Sequence, residues 1–137
     1  MLAPTPTIYF KNTVGCIWEE PAGYLRLDYY PGVREQTQFK ALLTHVRQAM
    51  IRRGWNRLLV NQQQMSPFTP VEEAWMTTEW LPQTVREAGY RYGAVLVARD
   101  VFARLAMSSL LPTSRKLGHL YRNFEHETEA VGWLLSM

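Results

Sequence analysis

Apolar and polar residues alternate along the N-terminal part of the chain, which is typical of half-buried β-strands. Short apolar runs begin at Ile8 and at Val14. Leu25 and Leu27 fall on one side of a third alternating segment, which ends before Pro31. Because only short turns separate the three segments, the pattern predicts an antiparallel meander of three strands.

The apolar spacing changes to three and four between positions 35 and 53, which predicts an amphipathic helix laid on the sheet. Gly54 is expected to end this helix, because glycine accepts the left-handed conformation. The continuous apolar run 58–60 then predicts a central strand that is buried on both faces. The predicted apolar face of the helix consists of Phe39, Leu42, Leu43, Val46, Ala49 and Met50.

A second helix is predicted to begin at Pro70. Thr69 is expected to cap it, proline suits the first helical position, and Glu72 completes a capping box with Thr69. Pro82 is expected to kink or break this helix, because it lacks an N–H group. The predicted apolar stripe consists of Val71, Trp75, Thr78, Leu81 and Val85.

The C-terminal part continues the alternation of strands and helices. Residues 90–98 predict a strand, Asp100 is expected to cap a short helix, and 108–118 are predicted to be irregular. Residues 119–124 predict a strand and 127–135 a closing helix. The order β-β-β-α-β-α-β-α-β-α predicts an α/β protein, with helices packed on a mixed sheet in one domain over 1–137.

Composition narrows the function classes. The formal charge is +3 and the pI is about 9.2, but the basic residues are spread along the chain, so we expect no nucleic-acid binding. A single cysteine, Cys16, and three scattered histidines predict no disulfide, metal site or cofactor. We find no signal peptide and no apolar run of membrane-spanning length. A cytoplasmic protein without membrane insertion is expected.

The chain resembles the STAS family, that of the anti-sigma-factor antagonists, and its SEC14-like relatives. It is more closely similar to a group of small bacterial stand-alone STAS/SEC14-type proteins of undetermined role. The resemblance implies a STAS-like fold and a non-enzymatic regulatory domain that binds other proteins. The SEC14-like branch implies the alternative of a small apolar-ligand or lipid binder. Such a ligand is expected in the apolar space under Trp75, Trp80 and Phe102. The segments that carry the resemblance are 8–10, 18–19, 25–30, 58–61, 65–70, 79–82, 100–105, 121–124 and 130–135.

In the antagonist branch, a serine of an Asp-Ser-Ser-Gly-like motif in the loop between a strand and a helix is phosphorylated. The corresponding loop here, 61–70, lacks that motif, so Ser66 and Thr69 match no residue of it. The phosphorylation site is therefore not carried over. No catalytic triad accompanies the loop either, and we expect no enzyme activity.

The candidate interaction site is this loop together with the second helix. Trp80 is five positions from Trp75, so on a regular helix it is expected to face outward. Phe68 is expected at the loop tip, and an exposed apolar patch of this kind marks a contact with a protein partner or with a second copy in a dimer. The predicted interaction residues are Met65, Ser66, Phe68, Thr69 and Trp80.

Overall fold

The computed structural model describes residues 4–137, apart from the side chains at 106 and 107. A six-stranded sheet has the order β1-β2-β3-β4-β5-β6. Its strands are β1 (Thr7–Lys11), β2 (Gly15–Glu20), β3 (Tyr24–Tyr29), β4 (Arg57–Asn61), β5 (Tyr92–Leu96) and β6 (Leu120–Phe124). The helices are α1 (Gln36–Arg53), α2 (Pro70–Trp75), α3 (Leu81–Ala88), α4 (Val101–Leu105), α5 (Leu110–Lys116) and α6 (Glu127–Ser136).

The sheet is mixed, as predicted. β1, β2 and β3 pair antiparallel, whereas β3 to β6 pair parallel. Each parallel connection needs a crossover, and the intervening helices supply it. Helices α1 to α5 contribute to the large core on one face, and α6 packs on β4, β5 and β6 on the other face. The predicted α/β class and mixed sheet are therefore confirmed.

Strand β4 lies inside the sheet and is buried on both faces. Leu58 and Val60 belong to the core under α1, whereas Leu59 belongs to the core under α6. Leu59 is 0% exposed. A continuous apolar run is what such a two-sided strand requires, and this prediction is confirmed.

The second helix contains a π turn, Met76–Trp80, between α2 and α3. The N–H of Leu81 donates to the carbonyl of Met76, one residue further back than in an α-helix. In a regular helix Pro82 would leave the carbonyl of Thr78 without its donor and its ring would press on that carbonyl. The wider turn gives the ring room, so the expected interruption at Pro82 takes the form of this turn and the helix continues to Ala88.

The π turn explains why the prediction for Trp80 is wrong. At about 100° per residue, five α-helical positions would separate Trp80 from Trp75 by about 140°. The wider turn absorbs one extra residue and brings Trp80 back toward the stripe of Trp75. Trp80 is 3% exposed, and its indole Nε1–H donates to the carbonyl of Leu43 at 2.7 Å. Thr78 and Val71, predicted in the apolar stripe, are exposed instead.

The segment predicted to be irregular contains α5. Pro112 is the third residue of this helix, where a missing N–H costs no hydrogen bond. Leu110 and Ser114, one turn apart, both face the core and are 2% exposed. The prediction of an irregular segment is therefore wrong at α5. Its proline and its polar composition gave no helical pattern, because only two of its residues are buried.

Candidate functional site

Three loops meet at the edge where the parallel strands β3, β4 and β5 end. They are residues 30–35, the β4–α2 loop at 62–69, and residues 97–100. Open α/β sheets place their working surfaces at this edge. Hydrogen bonds join the loops into one surface. The N–H of Gln62 donates to the carbonyl of Leu96, the last residue of β5, at 3.0 Å, and the N–H of Arg99 donates to the carbonyl of Gln63 at 3.2 Å. The N–H of Gly32 donates to the Ser66 side-chain Oγ at 3.2 Å.

The β4–α2 loop turns its apolar side chains inward. Met65 is 2% and Phe68 is 7% exposed. The ring of Phe68 packs edge-on against Tyr29 at 5.8 Å and Phe39 at 6.0 Å between centroids. The prediction that Phe68 stands at an exposed tip is therefore wrong, because its ring helps to close the core above β3. Together with the burial of Trp80, this removes the predicted Phe68–Trp80 patch.

Arg34 fixes the path of this loop. Its buried guanidinium forms a fork with the carboxylate of Glu72, with Nε–Oε2 and Nη2–Oε1 distances of 2.8 Å. The same group donates to the carbonyls of Ser66 at 2.9 Å and Pro67 at 2.8 Å. The Arg34 and Glu72 side chains are 4% and 5% exposed. The sequence gives no local signal for this pair, because 38 positions separate the two residues.

The predicted capping box is confirmed. Thr69 Oγ1 accepts from the N–H of Glu72 at 3.2 Å, and Glu72 Oε1 accepts from the N–H of Thr69 at 2.8 Å. Glu72 thus serves both the cap and Arg34. Of the five predicted interaction residues, only the exposed Thr69 and the half-buried Ser66 reach the surface.

A polar network on the outer face of the sheet holds the start of the loop. The carboxylate of Asp28 accepts from Trp18 Nε1 at 3.1 Å, Arg26 Nε at 2.9 Å and Asn61 Nδ2 at 3.1 Å. The Oδ1 of Asn61 in turn accepts from the N–H of Gln63 at 3.1 Å. Both ends of the β4–α2 loop are therefore tied to rigid elements.

Helix α4 differs from the β4–α2 loop, because most of its apolar side chains are exposed. The predicted cap is confirmed, because Asp100 Oδ1 accepts from the N–H groups of Phe102 at 2.8 Å and Ala103 at 3.1 Å. Ala103 faces the core, but Val101, Phe102 and Leu105 are 69%, 74% and 63% exposed. Phe102 therefore does not line an internal apolar space together with Trp75 and Trp80, as the ligand-binding alternative would place it.

The exposed apolar side chains concentrate on this edge. Of eleven large apolar side chains that are exposed in the described residues, six belong to the three loops, the first turn of α2 or the short helix α4. Single exposed apolar residues are common on soluble proteins, but a group at one edge marks a contact surface. We call this group the apolar edge; it consists of Tyr30, Val33, Val71, Val101, Phe102 and Leu105.

Away from the apolar edge, a buried serine–histidine pair is the arrangement that is most similar to a catalytic pair. Ser114 Oγ is 2.8 Å from His119 Nδ1 and donates to the His119 carbonyl at 3.0 Å. Ser114 and His119 are 2% and 3% exposed, beneath the rings of Tyr90 and Tyr121. Burial lowers the pKa of His119 to about 3, so the ring is neutral. A pair that substrate cannot reach serves packing, not nucleophilic attack.

Within the described part of the chain, the core contains a small cavity of about 20 Å³ beneath the π turn, bordered by Phe68, Trp80 and Tyr121 among others. This space admits about one water molecule. Among the described residues, no group of histidine, cysteine and carboxylate side chains is placed to hold a metal ion. Within the same part of the chain, no helix is long and apolar enough to cross a membrane.

Comparison with known proteins identifies the fold. No protein-family model matches the chain, and no curated protein matches it. The crystal structure of an anti-sigma factor antagonist from Mycobacterium paratuberculosis is similar, with a TM-score of 0.54 and 16% sequence identity. The likeness covers 98% of each chain. It shows that this protein has the fold of the STAS type that its sequence resembles.

Proposed function

We propose that the chain is a non-enzymatic STAS-like regulatory domain that binds another protein through its apolar edge. The observation that carries this proposal is the exposure of Val101, Phe102 and Leu105 on one side of α4. The solved structure of the same fold is that of an anti-sigma factor antagonist, a protein class that acts on another protein. Burying apolar side chains of this size is the main favourable contribution to association.

The β4–α2 loop supports this surface by being rigid. Arg34, the capping box and the buried Phe68 fix its backbone, so binding costs little loop ordering. Of the predicted interaction residues, a partner can reach Ser66 and Thr69. We include a contact between these two residues and the partner in the proposal. The partner is a different protein or a second copy of this chain.

A small apolar-ligand or lipid binder is the second candidate, and it has less support. A ligand pocket commonly has several hundred cubic ångströms, whereas the core cavity has about 20 Å³. A ligand of that class would require the π turn to move away from the sheet, which would break the hydrogen bond from Trp80 to Leu43.

Replacing three side chains of α4 tests the proposal. The variant Val101→Ser, Phe102→Ser, Leu105→Ser should fold normally, because these side chains are exposed. It should lose at least about tenfold in capture of the partner or in self-association. Affinity purification measures the capture of the partner, and light scattering measures self-association. The matched control is Ile51→Ser, Leu120→Ser, Leu135→Ser, which removes three exposed apolar side chains outside the apolar edge. Equal capture by both variants would contradict the proposal.

A further inference from the structure

The opposite edge of the sheet, where the parallel strands begin, carries a dense group of cations. Helices that connect parallel strands run back across the sheet, so the ends of α1, α3 and α5 lie beside the starts of β4, β5 and β6. Basic residues occupy the last turns of these helices and the strand starts. We call the group the basic pole; it consists of Arg52, Arg53, Arg57, Arg86, Arg91, Arg115 and Lys116.

The charge of this pole exceeds that of the whole chain. Three carboxylates lie at the same edge, those of Glu19, Glu20 and Glu87, against seven cations. The whole chain carries 15 basic and 12 acidic residues. The rest of the molecule therefore holds eight cations and nine carboxylates, and is slightly acidic. The basic residues are spread evenly along the sequence, but the fold brings seven of them to one edge of the sheet.

Hydrogen bonds hold the strand starts of the pole side by side. The N–H of Arg91 donates to Asn56 O at 3.0 Å, and the N–H of Leu120 donates to Arg91 O at 2.9 Å. Neighbouring strands lie about 5 Å apart. The cations at these starts therefore lie within about one Debye length of one another at physiological salt, and their fields add.

Helix dipoles account for part of this pattern. A cation in the last turn of a helix is favoured by the partial negative charge of the free carbonyls there. This explains Arg52, Arg53, Arg86, Arg115 and Lys116 individually. It does not explain Arg57 and Arg91, which stand at or just before strand starts.

Exposed apolar side chains lie among these cations. Ile51, Leu120 and Leu135 are 52%, 47% and 43% exposed. Leu135 is in the last turn of α6, and a hydrogen bond from Arg57 to the Met137 carbonyl places the end of that helix at the start of β4. Cations with aliphatic side chains between them suit the interface of a bilayer. A nucleic-acid backbone would neutralise the cations but would give the aliphatic groups no partner.

We propose that the basic pole adsorbs to the surface of an anionic lipid bilayer, with the apolar edge facing away from it. The arginine and lysine side chains of the pole, apart from Arg53, which pairs with Glu19, contact lipid phosphates, and Ile51, Leu120 and Leu135 enter the interface. This places the apolar edge toward solvent, where a protein partner can reach it. The binding is peripheral and reversible, and it is independent of whether a protein binds the apolar edge.

Sedimentation with vesicles of phosphatidylcholine, and with vesicles in which phosphatidylglycerol replaces about a third of it, tests the proposal. The protein should bind the anionic vesicles at low salt and not the neutral ones. The variant Arg115→Gln, Lys116→Gln should reduce the partition coefficient about 25-fold, since each cation near an anionic surface contributes about fivefold. Both residues are exposed and have no ion pair in the described part of the chain.

The matched control is Lys11→Gln, Arg99→Gln. These two exposed cations lie at the opposite edge, and their removal changes the net charge by the same amount. The control should change the partition coefficient less than about twofold. Equal losses in both double variants would show that only net charge matters and would overturn the proposal. Circular dichroism confirms that each variant is folded.

A charge-neutral variant distinguishes a bilayer from other polyanions. Ile51→Ser, Leu135→Ser should weaken vesicle binding about fivefold or more, because less apolar surface enters the interface. Unchanged vesicle binding by this variant would contradict the bilayer as the occupant. Tighter binding of the parent protein to a short DNA duplex than to anionic vesicles, at the same salt, would contradict it as well.

Discussion

The segments that follow β4 and β5 each carry a phenylalanine, Phe68 in the β4–α2 loop and Phe102 in the first turn of α4, and the two rings lie in opposite environments. Phe68 is 7% exposed and Phe102 is 74% exposed. Both loops end in a capped helix, with Thr69 and Asp100 as the caps. Local helix signals are therefore the same in the two regions, and they do not decide which ring is buried.

The difference comes from distant residues. Arg34 and Glu72 bind the β4–α2 loop to the start of α1 and α2, and Tyr29 and Phe39 provide a site for the Phe68 ring. Helix α4 is held by the exposed Arg104, which donates to the carbonyl of Ala98 at 2.6 Å and pairs with Glu125 at 3.3 Å. This arginine fixes the backbone but provides no site for the Phe102 ring, and only Ala103 of the α4 side chains is buried. The β4–α2 loop is thus held with its apolar side chains buried, whereas α4 leaves its apolar side chains exposed at the surface that we propose for a partner.

Of the substitutions in these two regions, removal of the Arg34 guanidinium should have the largest effect on the free energy of unfolding. Arg34→Met leaves the buried Glu72 carboxylate without its cation and two loop carbonyls without donors. We expect a loss of about 3–5 kcal/mol in the free energy of unfolding from urea melts. The double variant Arg34→Met, Glu72→Met should recover part of it, because no buried charge is then left unpaired. A loss below about 1 kcal/mol in the single variant would show that the loop does not depend on Arg34.

The two phenylalanines provide the direct contrast. Phe68→Ala should cost about 3 kcal/mol or more, because it opens a cavity in the core. Phe102→Ala should change the free energy of unfolding by no more than about 0.5 kcal/mol. Urea melts of both variants in one buffer measure the difference. Similar losses in the two would mean that Phe102 is also a core residue.

Substitutions at the two helix caps should have the smallest effects on the free energy of unfolding. Thr69→Ala should cost about 0.5–2 kcal/mol, whereas Thr69→Asp should be nearly neutral because aspartate also caps. Asp100→Ala should cost about 0.5 kcal/mol, near the lower limit for a cap, because it releases a short helix with one buried side chain. If Thr69→Asp destabilised as much as Thr69→Ala, the capping account of Thr69 would fail.

Most of the fold could be predicted because its signals are local. The alternation around Leu25, the run 58–60 and the capping box at Thr69 each specify an element within a few residues. The π turn could not be predicted by counting α-helical positions, and that error placed Trp80 on the surface. Helix α5 was concealed by Pro112, which is harmless in a first turn.

The site was predicted less well, because its geometry depends on tertiary contacts. The β4–α2 loop is at the predicted place, but the burial of Met65 and Phe68 depends on the Arg34–Glu72 pair across 38 positions. Exposure of the apolar side chains of α4 also has no local signal, since the same pattern predicts a buried face. The charge polarity emerges only when the crossovers bring the helix ends together.

Site-specific photo-crosslinking in the cells that produce the protein tests the central claim most directly. A benzophenone-bearing residue at position 102 is compared with the same residue at position 120, which is also exposed but lies away from the apolar edge. We predict that position 102 crosslinks to one defined protein, a second copy included, and that position 120 does not. Equal crosslinking to proteins at both positions, or none at position 102, would contradict the assignment of the apolar edge as a protein-binding surface.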